Sequence, residues 1–195
     1  MTLPDQEAAP TAAERRAARR ANQTAFNLVL ALIASLGVVL FLVVVVVRPE
    51  MEPRTVDFRQ IGADAQSSVD EPLAVPDLPD AWTANRAELV GDPADGVTRW
   101  EIGFLTPNGE YIGLVQGVDA NDSWLADQVH SARSDGTERI GGLTWSSYDR
   151  RDVDDPGNVE YALVTTSGAS TIVLGGTATD EEFAVLAAAV AKELS

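Results

Sequence analysis

Apolar residues follow three different rules along this chain, and each rule predicts a different kind of element. From Phe26 to Val47, 22 residues carry no charge and seventeen of them are Leu, Val, Ile or Phe. At about 1.5 Å per residue such a stretch reaches roughly 33 Å as a helix, enough for a bilayer core about 30 Å thick. Val43–Val47 would favour a strand in water, but a lone segment in lipid satisfies its backbone only as a helix. The second rule is helical spacing. Phe58, Ile61, Ala65 and Val69 share one face of a predicted helix over 57–69, and Trp124, Leu125, Gln128 and Val129 one side of another over 122–132. Phe183, Leu186, Ala187, Val190 and Leu194 recur after the capping box Thr179-Asp-Glu-Glu182 and predict a final helix docked on a sheet.

The third rule is a period of two. It predicts strands over 84–90, 98–105, 111–118, 137–140, 143–150, 159–166 and 170–176. Asn108-Gly109 and Gly141-Gly142 mark hairpin turns between them. The prolines at 72, 76 and 79 predict an extended segment lying over the domain. Seven strands, mostly joined by hairpins, with one helix in the middle and one at the end predict an α+β fold. Its mostly antiparallel sheet is packed with helices in an α/β sandwich.

Charge divides the chain further. Residues 1–25 form a basic tail with four arginines, and Thr11-Ala-Ala-Glu14 within it reads as a capping box. Four arginines precede the apolar span within eleven residues and two follow it, so the expected topology is N-terminus in the cytoplasm and C-terminal domain outside. The stretch ends Val-Val-Arg-Pro-Glu without a cleavage signal, so it stays as an anchor. The expected organisation is a tail (1–25), a transmembrane helix (26–47), a stalk (48–55) and an extracytoplasmic domain (56–195). Ala31 and Ser35 make a small-xxx-small pair that hints at helix pairing. Residues 49–195 hold eight arginines and one lysine against 27 carboxylates, a balance of −18. Such a domain repels nucleic acid and anionic headgroups, leaving solubility or salt adaptation as the plain reading of its acidity.

Little in the composition carries chemistry. Without cysteine there is no disulfide, thiolate metal site or thiol nucleophile. His130 is the sole histidine and Lys192 the sole lysine, and no Gly-x-Ser-x-Gly elbow supplies a serine for a triad. Asp152-Val-Asp154-Asp155 opens like a calcium loop, yet Pro156 and Leu163 stand where ligands belong. Asp119-Ala-Asn121-Asp122 opens similarly, with Trp124 in the glycine position. Both read as turns, with loose calcium binding the lesser alternative. Trp82, Trp100, Trp124 and Trp145, with Tyr111, Tyr148 and Tyr161, either pack the core or line a cleft for sugar or lipid. No catalytic residue, cofactor site or metal site is assigned.

The segments Pro79-Asp-Ala-Trp82, Trp100-Glu-Ile-Gly-Phe-Leu-Thr-Pro107 and Tyr111-Ile-Gly-Leu-Val-Gln116 form a distinctive set with Gly142-Leu-Thr-Trp145, Tyr148 and Gly175-Gly-Thr-Ala178. Together, from about residue 15 onward, they resemble an actinobacterial family of membrane-anchored proteins catalogued as domain of unknown function 4245. The resemblance implies an actinobacterial cell envelope and no activity. The order of sheet and helices is similar, at fold level alone, to PsbP-like sandwiches, which are mostly non-enzymatic accessory proteins. The expected function is therefore a non-enzymatic envelope module that binds a protein or wall component. The alternatives are a small-ligand or lipid-binding module and, last, an enzyme.

Overall fold

The structure is a computed structural model that describes residues 26–41, 55–91 and 93–194. It separates into two compact units, Met1–Met51 and Glu52–Ser195. In the first, residues 26–41 form a helix (α1) whose side chains, Ala31 and Ser35 included, are all exposed. Among the described residues no helix is long and apolar enough to cross a membrane. Residues 42–47 of the expected span, the stalk through residue 54 and the tail's capping box lie outside the described residues.

The second unit is built on one seven-stranded, wholly antiparallel sheet. Its strands are β1 (Thr83–Val90), β2 (Arg99–Leu105), β3 (Tyr111–Val118), β4 (Gly136–Ile140), β5 (Leu143–Asp149), β6 (Tyr161–Ser167) and β7 (Ser170–Gly176). Their spatial order is β1-β2-β3-β7-β6-β5-β4. Each half of the sequence folds as a meander, and the halves join where β3 pairs with β7 along Ile112↔Gly176 to Val118↔Ser170. The expected antiparallel α+β architecture is the one observed, and the bounds of β3 and β7 match the alternation residue for residue.

The sheet has two unlike faces. On the closed face sit α2 (Phe58–Ala65), continued by a 3-10 turn over Gln66–Ser68, and α4 (Asp180–Glu193). The single helix predicted over 57–69 is thus shorter, with Asp57 as its cap: the Asp57 carboxylate accepts from Gln60 N at 3.1 Å. Trp100, Ile102, Phe104, Ile112, Leu114, Leu174 and Phe183 are fully buried here. Phe104 meets Phe58 and Trp82 edge-on, at 5.2 and 6.3 Å between ring centroids. The proline-rich segment lies across this core, as expected. The buried Gln116 side chain fixes it by accepting from Ala74 N at 2.7 Å and donating to Pro72 O and Ser170 Oγ, both at 2.8 Å. Trp100 Nε1 donates to Ala74 O at 2.9 Å. Every hydrogen-bonding group of this buried carboxamide is in use, which is what makes a polar side chain tolerable there.

α4 starts at the predicted capping box, with Thr179 accepting from Glu182 N. Glu182 also reaches the β2–β3 turn, accepting from Asn108 Nδ2 at 3.0 Å. One carboxylate therefore caps the helix and ties it to a hairpin. Among the described residues the one helix on the open face is α3 (Asp122–Gln128), capped by Asn121, whose side chain accepts from Trp124 N at 2.9 Å. The helix predicted to reach Ala132 stops early. His130 and Ser131 take φ of +51° and +56°, and Ser131 N bonds back to Ala126 O at 2.6 Å. This left-handed pair ends the helix without the glycine that usually marks such a stop.

Candidate functional site

The open face is shaped by what its strands lack. Gly103 of β2, Gly113 of β3 and Gly175 of β7 stand side by side in the register, and Ala162 of β6 follows. The row continues to Arg86 on β1 and Tyr148 on β5. Four neighbouring strands thus present nothing larger than a methyl group, and a trough runs across the sheet.

Bulky side chains lie down in this trough. Tyr111 folds back along its own strand, with its hydroxyl 3.3 Å from where a Cβ on Gly103 would stand and 2.9 Å from one on Gly113. Further along β3, Gly117 receives the indole of Trp124, whose ring atoms come within 2.8 Å of the corresponding point. Glycine inside a strand weakens it, and here it admits close approach by an aromatic ring.

Between Tyr111 and α3 the trough keeps an open cavity of about 190 Å³. Its floor is Gly113, Val115, Val173 and Gly175, and its rim is Tyr111, Gln128 of α3, and Asn158 and Val159 of the β5–β6 loop. Arg150 holds that loop by donating from Nη1 to Pro156 O at 2.9 Å and Val159 O at 2.6 Å. The side chains of Tyr111, Gln128 and Asn158 make no hydrogen bond among the described residues, so three of the lining residues carry neutral donor–acceptor groups without a protein partner there. Burial raises the Tyr111 phenol above its ordinary value, against the pull of the Arg86 charge, so it stays protonated at neutral pH.

Beside the cavity the charges satisfy one another. Arg86 pairs with Glu88 and, at 2.8 Å, with Glu101, while Arg99 pairs with Glu101 and Asp95. A mostly apolar floor with a few polar rim groups is the ordinary make-up of a ligand site, but ligand pockets usually run to about 300–1,000 Å³. This one takes a single small group.

The residues singled out in the sequence are dispersed. His130 is exposed just past α3 and Lys192 is exposed late in α4, and neither side chain is hydrogen-bonded among the described residues. Asp119 and Asp155 both take positive φ, in the two acidic turns. Among the described residues no group of three His, Asp or Glu is placed to share a metal ion. All four tryptophans and Tyr161 are buried in the cores, and Tyr148 is half-buried, which leaves Tyr111 as the aromatic at the cavity. Burial, and then the hydrogen bond that Tyr161 donates to Glu138, raise its phenol pKa strongly, and Arg151 stacks on its ring 4.6 Å from the centroid.

Gln128 is read from the sequence as a helix-face residue and Asn158 as part of an acidic turn, so the polar rim is missed. The available signal is mid-strand glycine at 103, 113 and 175, which marks close approach by a ligand or another chain segment. Neither the curated proteins nor the solved structures contain a match to this chain. The model of the family described as "protein of unknown function (DUF4245)" matches residues 20–190, and the chain belongs to that family.

Proposed function

We propose that this chain is a single-pass membrane protein of the actinobacterial cell envelope, carrying its acidic α+β domain outside the cell as a non-enzymatic binding module. The domain's arrangement, one antiparallel sheet between helices, is compatible with the PsbP-like accessory proteins expected at fold level. The anchor is supported by the uncharged run from Phe26 to Val47, whose described part is helical with every side chain exposed. The arginine excess before that run supports the orientation. The binding reading rests on one observation: Tyr111, Gln128 and Asn158 line a cavity, and their side chains make no hydrogen bond among the described residues. His130 and Lys192, the usual base and amine, are exposed and are not among the residues that line the cavity. The occupant is a small part of a larger envelope partner, because the cavity is too small for a lipid tail.

Two measurements test this. A reporter enzyme active only outside the cytoplasm, fused after Ser195, is expected to be active, and silence overturns the topology. A photo-crosslinking residue at Asn158 in living cells is expected to trap one discrete partner that the same residue at Ala188, exposed on α4, does not trap. Identical products at both positions overturn the groove as the binding site.

A further inference from the structure

We infer that the cavity over Gly113 and Gly175 is a subsite for the acetamido group of a neutral sugar, a deepening that rests on the binding-module reading above. Four features of the lining select this chemistry. No charged side chain lines the cavity, so a charged ligand group would be desolvated without a partner. The neighbouring charges Arg86, Glu88, Glu101, Arg99 and Asp95 are already paired among themselves. Gln128 and Asn158 each offer a carbonyl acceptor and an amide donor, the complement of a group that itself carries one N–H and one C=O. The floor suits the remainder of such a ligand: Tyr111 and Val159 lie over Gly113 and Gly175, Val115 and Val173 receive the acetyl methyl, and the Tyr111 ring offers an apolar surface to sugar C–H groups.

Size agrees with chemistry. About 190 Å³ holds an acetamido group and part of one ring, not a whole oligosaccharide. A single sugar should therefore bind weakly, with a dissociation constant on the order of 1 mM. Several such units on one polymer would bind several copies of the domain in one membrane more tightly.

The test titrates the full chain in detergent micelles with N-acetylglucosamine, followed by saturation transfer to the acetyl methyl protons. Glucose serves as the sugar without the amide, and N-acetylalanine methylamide as the amide without the sugar. The expected result is transfer to the acetyl methyl of N-acetylglucosamine and markedly weaker binding of both comparison compounds. The double variant Gln128→Leu/Asn158→Leu removes two side chains that make no hydrogen bond among the described residues, so it should melt with the parent. It should bind N-acetylglucosamine at least about tenfold more weakly. Gly175→Ala sets a methyl 3.3 Å from Val159 Cγ1, so Val159 must shift at the rim, and a second loss of binding is expected. Equal binding of glucose, equal binding of the capped amino acid, or unchanged binding by the double variant each overturns the proposal. No binding of any compound at 10-fold above the expected constant also overturns it, while the crosslinking at Asn158 reports separately on the binding-module reading.

Discussion

The two faces of the sheet are made from the same strands, yet one spends its side chains on packing and the other leaves room. On the closed face, alternate residues of β2, β3, β6 and β7 are aromatic or branched, and two helices and a proline-rich strap cover them. On the open face, the intervening residues include Gly103, Gly113, Gly117 and Gly175, and the short α3 covers only part of the surface. Close packing on one side supplies the stability that a strand needs when its other side carries glycine. The contrast also separates two uses of an aromatic ring. Phe104 fills volume in the closed core, whereas Tyr111 lies on a glycine floor with its hydroxyl unspent.

Matched truncations should break the two faces unequally. Phe104→Ala removes a fully buried ring that touches Phe58 and Trp82, and is expected to cost about 4 kcal/mol. Val115→Ala, half-buried on the open face, is expected to cost about 1 kcal/mol. Urea unfolding of the two variants checks the difference, and equal costs would mean that the open face is packed as tightly as the closed one.

The strap offers a second lever. Replacing Gln116 by Leu leaves Ala74 N–H, Pro72 C=O and Ser170 Oγ without their buried partner. The expected cost is about 3 kcal/mol. Hydrogen exchange should show Ala74 N–H losing protection before the strand amides do. Uniform loss across the domain would show that the strap opens only with global unfolding.

Which parts of this contrast are legible in the sequence follows from the range of the interactions. The closed face is readable because alternation within each strand reports burial locally: Trp100, Ile102 and Phe104 announce one face of β2 without knowledge of any partner. The Thr179 capping box fixes the start of α4 for the same reason. The groove is not readable, because Gly113 and Gly175 become neighbours only through the β3–β7 pairing, 62 positions apart in the chain. Gln128 and Asn158 meet it from a helix and a loop whose placement is equally non-local. The early end of α3 escapes because its left-handed stop uses His130 and Ser131, residue types that carry no such signal.

The fit of Tyr111 to its glycines can be measured directly. Gly113→Ala puts a methyl 2.9 Å from the Tyr111 hydroxyl, and the expected cost is about 1 kcal/mol because the far end of the ring can shift. In the double variant Gly113→Ala/Tyr111→Ala the methyl meets no ring, so the combined cost should fall short of the sum by at least about 0.5 kcal/mol. Strict additivity would mean that the ring does not rest on Gly113 in solution.

A further small effect belongs to the closed face and depends on pH. Burial opposes the charge on Glu182, but hydrogen bonds from Thr106, Thr179 and Asn108 outweigh it and lower its pKa below the ordinary carboxylate value. A lowered folded-state pKa means that ionised Glu182 favours the folded chain. That contribution is complete above the unfolded-state value, about 4.3, and is lost as pH falls through the folded one. Total stability is a poor readout, because protonating an acidic domain also relieves repulsion among its other carboxylates. The difference between the parent and Glu182→Gln isolates the group. The variant should be less stable by about 1 kcal/mol at pH 7, and the gap should narrow as pH falls through the lowered folded-state value. With α4 tied to the Thr106–Gly109 turn through this carboxylate, the loosening should appear first in the exchange of amides at the start of α4, while those of α3 on the open face stay unchanged. A gap that persists undiminished at low pH would show that Glu182 acts through its shape and neutral hydrogen bonds rather than its charge.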